Sequence, residues 1–121
     1  MTVQEQVRSG AAALALHYRM GEDYRDALVQ VARDFYERTD PHAETDSLAS
    51  NVTLDDGDLI WHTGGGYDIL FTVVEIHGAH VVRAMEQRSV GWATVSDQLV
   101  DPSDVTGTAH AIWQLITLLT A

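Results

Sequence analysis

Four residues able to bind a metal or carry a proton fall close together: His62, Glu75, His77 and His80. His77 and His80 flank Gly78 and Ala79, and a turn there sets the two imidazoles across from each other. Glu75 stands two residues before His77, so an extended chain puts both on one face. His62, on the preceding predicted strand, is placed to join them. Imidazoles with a carboxylate suit zinc or another divalent ion. This spacing lacks the compulsion of a helical H-E-x-x-H motif, where i,i+4 positions force both rings to one side. Half-exposed histidines at strand ends account for the same pattern. His17, His42 and His110 have no partner pattern and read as structural or solvated.

The other chemical motifs fail on physical grounds. Three glycines at 64–66 invite a phosphate cradle, which needs amides at a helix N-terminus and usually a lysine. Here they lead into a predicted strand, the chain has no lysine, and Asp68 follows. They read as a turn. Asp55, Asp56 and Asp58 suggest calcium, but the twelfth position from Asp55 is Gly66, not the closing glutamate of such a loop. No G-x-S-x-G segment supports serine catalysis. Glu75, set among Val73, Val74 and Ile76, is the best general base if buried. A solvated Glu75, or one paired with Arg83, explains it as well. With no cysteine, a disulfide framework, a thiol nucleophile and cysteine-ligated zinc are excluded. That composition fits a reducing compartment, and the cytoplasm is expected.

Charge is the most unusual property. Eighteen acids face seven arginines, for a formal net charge of −11. Residues 1–39 hold six acids and five arginines, and residues 83–121 hold four and two. Residues 40–82 hold eight acids and no arginine, net −8. Such a balance argues against nucleic acid and anionic membranes, whose binding needs a basic face. No apolar stretch approaches the roughly 20 residues that cross a bilayer. A general acidic adaptation of the source organism explains the composition but not its uneven placement.

The elements that must position these residues follow from periodicity. Thr2 and Glu5 form a capping box before a first predicted helix, marked by Val3, Val7, Ala11, Leu14 and Tyr18 and ending at Gly21. A second helix carries Tyr24, Ala27, Leu28, Val31, Ala32 and Phe35 on one face and stops at Asp40–Pro41. Residues 41–51 read as a loop with a helical turn after Pro41. Two short strands follow around Asp56–Gly57, a strong hairpin signal. "YDILFTVVEIH" is the strongest strand, and "HVVRAMEQRS" and "VGWATVS" continue the meander. A C-terminal helix buries Val105, Ala109, Ile112, Ile116 and Leu119, with Gly107 weakening it slightly. Trp61, Trp92 and Trp113 are expected to meet near the core.

The prediction is one α+β domain over residues 1–121: two N-terminal helices, a mainly antiparallel β-meander of about five strands, and one C-terminal helix. The expected function is non-enzymatic binding of a basic protein such as a toxin or secreted effector, as an immunity, inhibitor or chaperone protein. Asp40, Glu44, Asp46, Asp55, Asp56 and Asp58 are the expected contact acids, with Trp61 or Tyr67 as aromatic anchors. No cofactor is expected. The alternative is a small enzyme or ligand-binding domain using His62, Glu75, His77 and His80 around a pocket or a divalent metal such as zinc. A third reading is a homodimer formed through strand edges or the apolar C-terminal helix.

Overall fold

The computed structural model describes residues 16–18, 20–63, 68–89 and 91–120. The order is β1 (Leu16–Tyr18), α1 (Glu22–Thr39), a 3-10 turn (Leu48–Asn51), β2 (Val52–Asp55), β3 (Asp58–His62), β4 (Asp68–Ile76), β5 (Ala79–Arg88), β6 (Gly91–Leu99) and α2 (Val105–Leu119). Strands β2 to β6 lie side by side in chain order, all antiparallel, and β1 pairs with β4. The α+β class and the five-strand meander are as predicted.

The N-terminal region differs. Among the described residues one helix precedes the meander, not two. Residues 16–18 are a strand, paired Leu16 to Glu75 and Tyr18 to Val73. The rest of the first predicted helix, residues 2–15, lies outside the described residues. The reason is a demand created elsewhere in the chain. β3 covers β4 only from Asp68 to Phe71, and the next stretch of that edge would otherwise expose unpaired amides and carbonyls. β1 fills it, and tertiary pairing overrides a helical period. Gly21 ends no helix; it precedes α1 with φ +83°, a conformation that glycine adopts freely.

The hairpin turns are set by two-residue sequences. Asp56 and Gly57, at φ 52° and 86°, join β2 to β3 in the type I′ geometry that matches strand twist. His77 and Gly78, at φ 51° and 81°, do the same for β4 and β5. The second turn is therefore one residue earlier than Gly78–Ala79. A type I′ turn needs positive φ at both centres, and histidine tolerates it better than most residues. The helical turn expected after Pro41 forms later, at Leu48–Asn51.

The core lies between one sheet face and the two helices. α1 contributes Tyr24, Leu28, Val29, Val31 and Ala32; α2 contributes Ala109, Ala111, Ile112, Trp113, Leu115 and Ile116. Val52, Leu59, Trp61, Ile69, Phe71, Val73, Val82 and Ala84 meet them from the sheet. Leu70, Thr72, Val74 and Met85 alternate to the other face and are buried as well. β4 is thus buried on both faces, which is why its sequence is a nearly unbroken apolar run. Removing the Phe71 ring would cost about 3–5 kcal/mol. Trp61 and Trp113 meet in this core; Trp92, half-buried on β6, does not join it.

Arg25 locks the acidic loop to α1. Its Nε donates to the Val52 carbonyl at 3.1 Å and its Nη2 to the Ala49 carbonyl at 2.8 Å. From the same turn of α1, the Tyr24 hydroxyl donates to the Pro102 carbonyl. Among the described residues, no helix is long and apolar enough to cross a membrane.

Candidate functional site

The acidic loop between α1 and β2 is built from both ends. The Asp40 amide donates to the Tyr36 carbonyl at 2.8 Å, and Leu48 is buried as a plug. Between these anchors Asp40, Glu44 and Asp46 are exposed. Asp40 Oδ1 accepts from the His42 amide at 3.0 Å, and Glu44 Oε1 accepts from the Asp46 amide at 2.6 Å. None of these three makes an ion pair among the described residues. Their charges are carried on a structured loop and left facing solvent.

The remaining expected contact acids divide. Asp56 is exposed at the hairpin tip and Asp55 half-buried beside it. The length of β2, about 13 Å at 3.3 Å per residue, separates them from the loop end of that strand. Asp58 is fully buried and cannot touch a partner. By strand alternation Asp58 lies on the sheet face of Ile60 and His62, opposite the helices, at the first residue after the turn, a position that hydropathy alone reads as surface. Tyr67 lies outside the described residues. Trp61 is only 5% exposed, so it does not project as an anchor.

Trp61 is instead one wall of a pocket at the loop end of the molecule. Phe35, Tyr36, Trp61 and Trp113 line it, with Asn51, Thr63, Ile116, Thr117 and Thr120. Trp113 meets Tyr36 and Trp61 edge to face, each at 5.7 Å centre to centre, and Phe35 at a tilt, at 5.5 Å. Such pairs hold each other in defined orientations. The pocket has a volume of about 190 Å³, and no lining residue among those described is charged. It is smaller than the roughly 300–1,000 Å³ of cofactor and drug sites. It suits a single side chain. Tyr36 connects it to the acidic loop, since its carbonyl accepts from Asp40.

A second constellation lies on the opposite sheet face. His62 Nδ1 is 2.9 Å from Asp68 Oδ1, and His62 Nε2 is 2.9 Å from Thr53 Oγ1. The carboxylate can only accept, so Nδ1 donates and, in the neutral ring, Nε2 accepts from the hydroxyl. Strand register makes this chain: His62 is the cross-strand partner of Asp68, and Thr53 is diagonal to it on β2. The connectivity is that of a hydroxyl activated by an oriented base. Nothing in the sequence spacing marks it, because three strands must pair before the residues meet.

The four residues of the metal alternative are not gathered. Glu75 is the cross-strand partner of His80, and His77 sits in the turn. His62 lies at the other end of β4, about 23 Å away along the strand by residue count. Among the described residues, no three of His, Asp and Glu are grouped as a metal site. Arg83 pairs with Asp97 through two bonds of 3.0 and 3.2 Å and not with Glu75.

Asp101 has a displaced pKa. The Ser103 hydroxyl donates to its Oδ1 at 2.7 Å and the Ser103 amide at 3.0 Å. These two bonds, the hydroxyl foremost, hold its carboxyl below the usual aspartate value; slight desolvation opposes them and the His80 imidazole adds to them. No protein-family model, curated protein or solved structure matches this chain.

Proposed function

We propose that this protein binds a basic protein partner through the acidic loop and adjoining hairpin, acting as an inhibitor, immunity or chaperone protein in the cytoplasm. The observation that carries this reading is the loop of Asp40, Glu44 and Asp46, anchored at both ends with its three carboxylates exposed and without ion pairs among the described residues. Uncompensated charge on an ordered surface steers an oppositely charged partner and speeds association by factors of about 10 to 1,000 at low salt. Asp55 and Asp56 extend the field along β2.

The test is capture from extracts of the native host at low and high salt. The bait is the wild-type chain beside Asp40→Asn/Glu44→Gln/Asp46→Asn, which keeps the hydrogen-bond acceptors and removes the charge. Wild type should retain basic proteins at low salt and release them at high salt. Equal capture by the neutralised chain at both salts rejects the reading.

The Thr53–His62–Asp68 chain favours a second reading, weak hydrolytic chemistry at an exposed hydroxyl. The expected sign is turnover of an activated ester that falls at least tenfold in His62→Ala and in Thr53→Val. Identical rates in wild type and both variants dismiss it.

A further inference from the structure

We propose that the pocket of Phe35, Tyr36, Trp61 and Trp113 seats an arginine side chain of that basic partner. The inference rests on the reading of the acidic loop as a docking face. It adds what charge alone lacks, a site for one defined side chain.

Three properties select the occupant. Size comes first, since a volume of about 190 Å³ admits a large side chain rather than a cofactor. Chemistry comes second. The walls are aromatic rings, whose negative faces attract a cation, and the indole is the best of them. The Trp113 N–H is itself buried and has no acceptor among the described residues. Asn51, Thr63, Thr117 and Thr120 add side-chain oxygens that accept from a guanidinium's five N–H groups. A lysine ammonium is a compact, strongly hydrated point charge and stacks poorly.

Charge complementarity is the third. No lining residue among those described is charged, while residues 40–82 carry eight acids and no arginine or lysine. The surrounding field draws in a cation, and the pocket leaves its stacking face undisturbed by a competing carboxylate. A purely apolar occupant would gain from the rings but nothing from the field.

The experiment uses the full chain with two probes, acetyl-hexaarginine amide and acetyl-hexalysine amide, at low salt. Binding is followed by calorimetry and by the indole N–H signals of Trp61 and Trp113, with Trp92 as internal reference. Hexaarginine should bind about tenfold tighter than hexalysine, the factor that 1.4 kcal/mol represents. It alone should move the Trp61 and Trp113 signals. Thr117→Phe, which fills the pocket from its half-exposed rim, should lower hexaarginine affinity to the hexalysine level. The wild-type signals keep the test valid if that variant melts early.

The outcomes separate the two ideas. Equal affinities with unmoved Trp61 and Trp113 signals overturn the pocket while leaving the acidic face intact. Hexaarginine binding that survives Asp40→Asn/Glu44→Gln/Asp46→Asn but is lost in Thr117→Phe overturns the docking face and keeps the pocket. No binding of either peptide overturns both.

Discussion

Arg25 illustrates how one residue can be misjudged from composition. Its i,i+1 contact with Asp26 at 3.5 Å is a minor surface pair. Its weight lies in the two carbonyls it satisfies, on Ala49 and Val52. Charged hydrogen bonds of this kind are each worth roughly 1.5–3 kcal/mol, and removing the donor leaves both acceptors to find water. Arg25→Ala should therefore lower stability by about 2 kcal/mol in urea unfolding. Arg25→Lys should recover at most part of it, because one ammonium cannot reproduce the fork. Asp101 carries a pH signature. Its carboxyl is held below the ordinary value of about 3.9. A depressed folded pKa gives stability that is present above the unfolded value and disappears as pH falls through the folded one. Wild type should melt above Asp101→Asn at neutral pH, and the two should converge as the solution is acidified from about pH 4 downward. Parallel melting curves across that range would rule out the link. Neither role was legible in the sequence. Arg25 acts on carbonyls 24 and 27 residues away, and Asp101 needs the turn that brings Ser103 onto it.

At the scale of the element, periodicity succeeded where a segment's environment is uniform and failed where neighbours decide. The apolar face of α1 was readable because it buries one stripe, and β4 because it buries both sides; on α2, Ala109, Ile112 and Ile116 are buried as expected, Val105 and Leu119 only partly, and Ala111, Trp113 and Leu115 are buried beside them. β1 was not, because its conformation answers the free edge of β4. The α2 terminus offers a sharper test of local logic. Gly107 looks like a weakness in a helix, worth about 1 kcal/mol against alanine. Its amide, however, donates to the capping carboxylate of Asp104 at 2.9 Å, and a Cβ built there would stand 2.3 Å from Asp104 Oδ2. Gly107→Ala should thus bring little or no stability in the wild-type background. Asp104→Ala alone should cost about 1 kcal/mol, the usual value of a lost N-cap. In that background Gly107→Ala should become stabilising by up to about 1 kcal/mol. Additive free energies in this double-mutant cycle would refute the coupling.

Across the whole molecule, the acid excess bears on stability as well as on recognition. A net charge of −11 opposes compaction by self-repulsion. Neutralising Asp40, Glu44 and Asp46 with amides should raise the melting temperature by a few degrees at low salt, and added salt should raise that of wild type. If neutralisation lowers it instead, those carboxylates serve structure. The charge map and the strand order were visible in the sequence. The aromatic pocket was only half visible: Trp61 and Trp113 stood out as residues, but their meeting, and the exposure of only some acids, depend on packing. The meander has a consequence of another kind. Every pairing from β2 to β6 joins neighbours in the chain, so its loops close early and cheaply during folding. The β1 pairing to β4 and the bond from Tyr24 to Pro102, 78 residues apart, must wait. Conservative truncations in β4 and β5 should slow refolding, whereas Tyr24→Phe should chiefly speed unfolding. The sheet would then stand assembled while its helical cover is still unmade, and the acidic loop, tied to α1 through Arg25, would take its shape last.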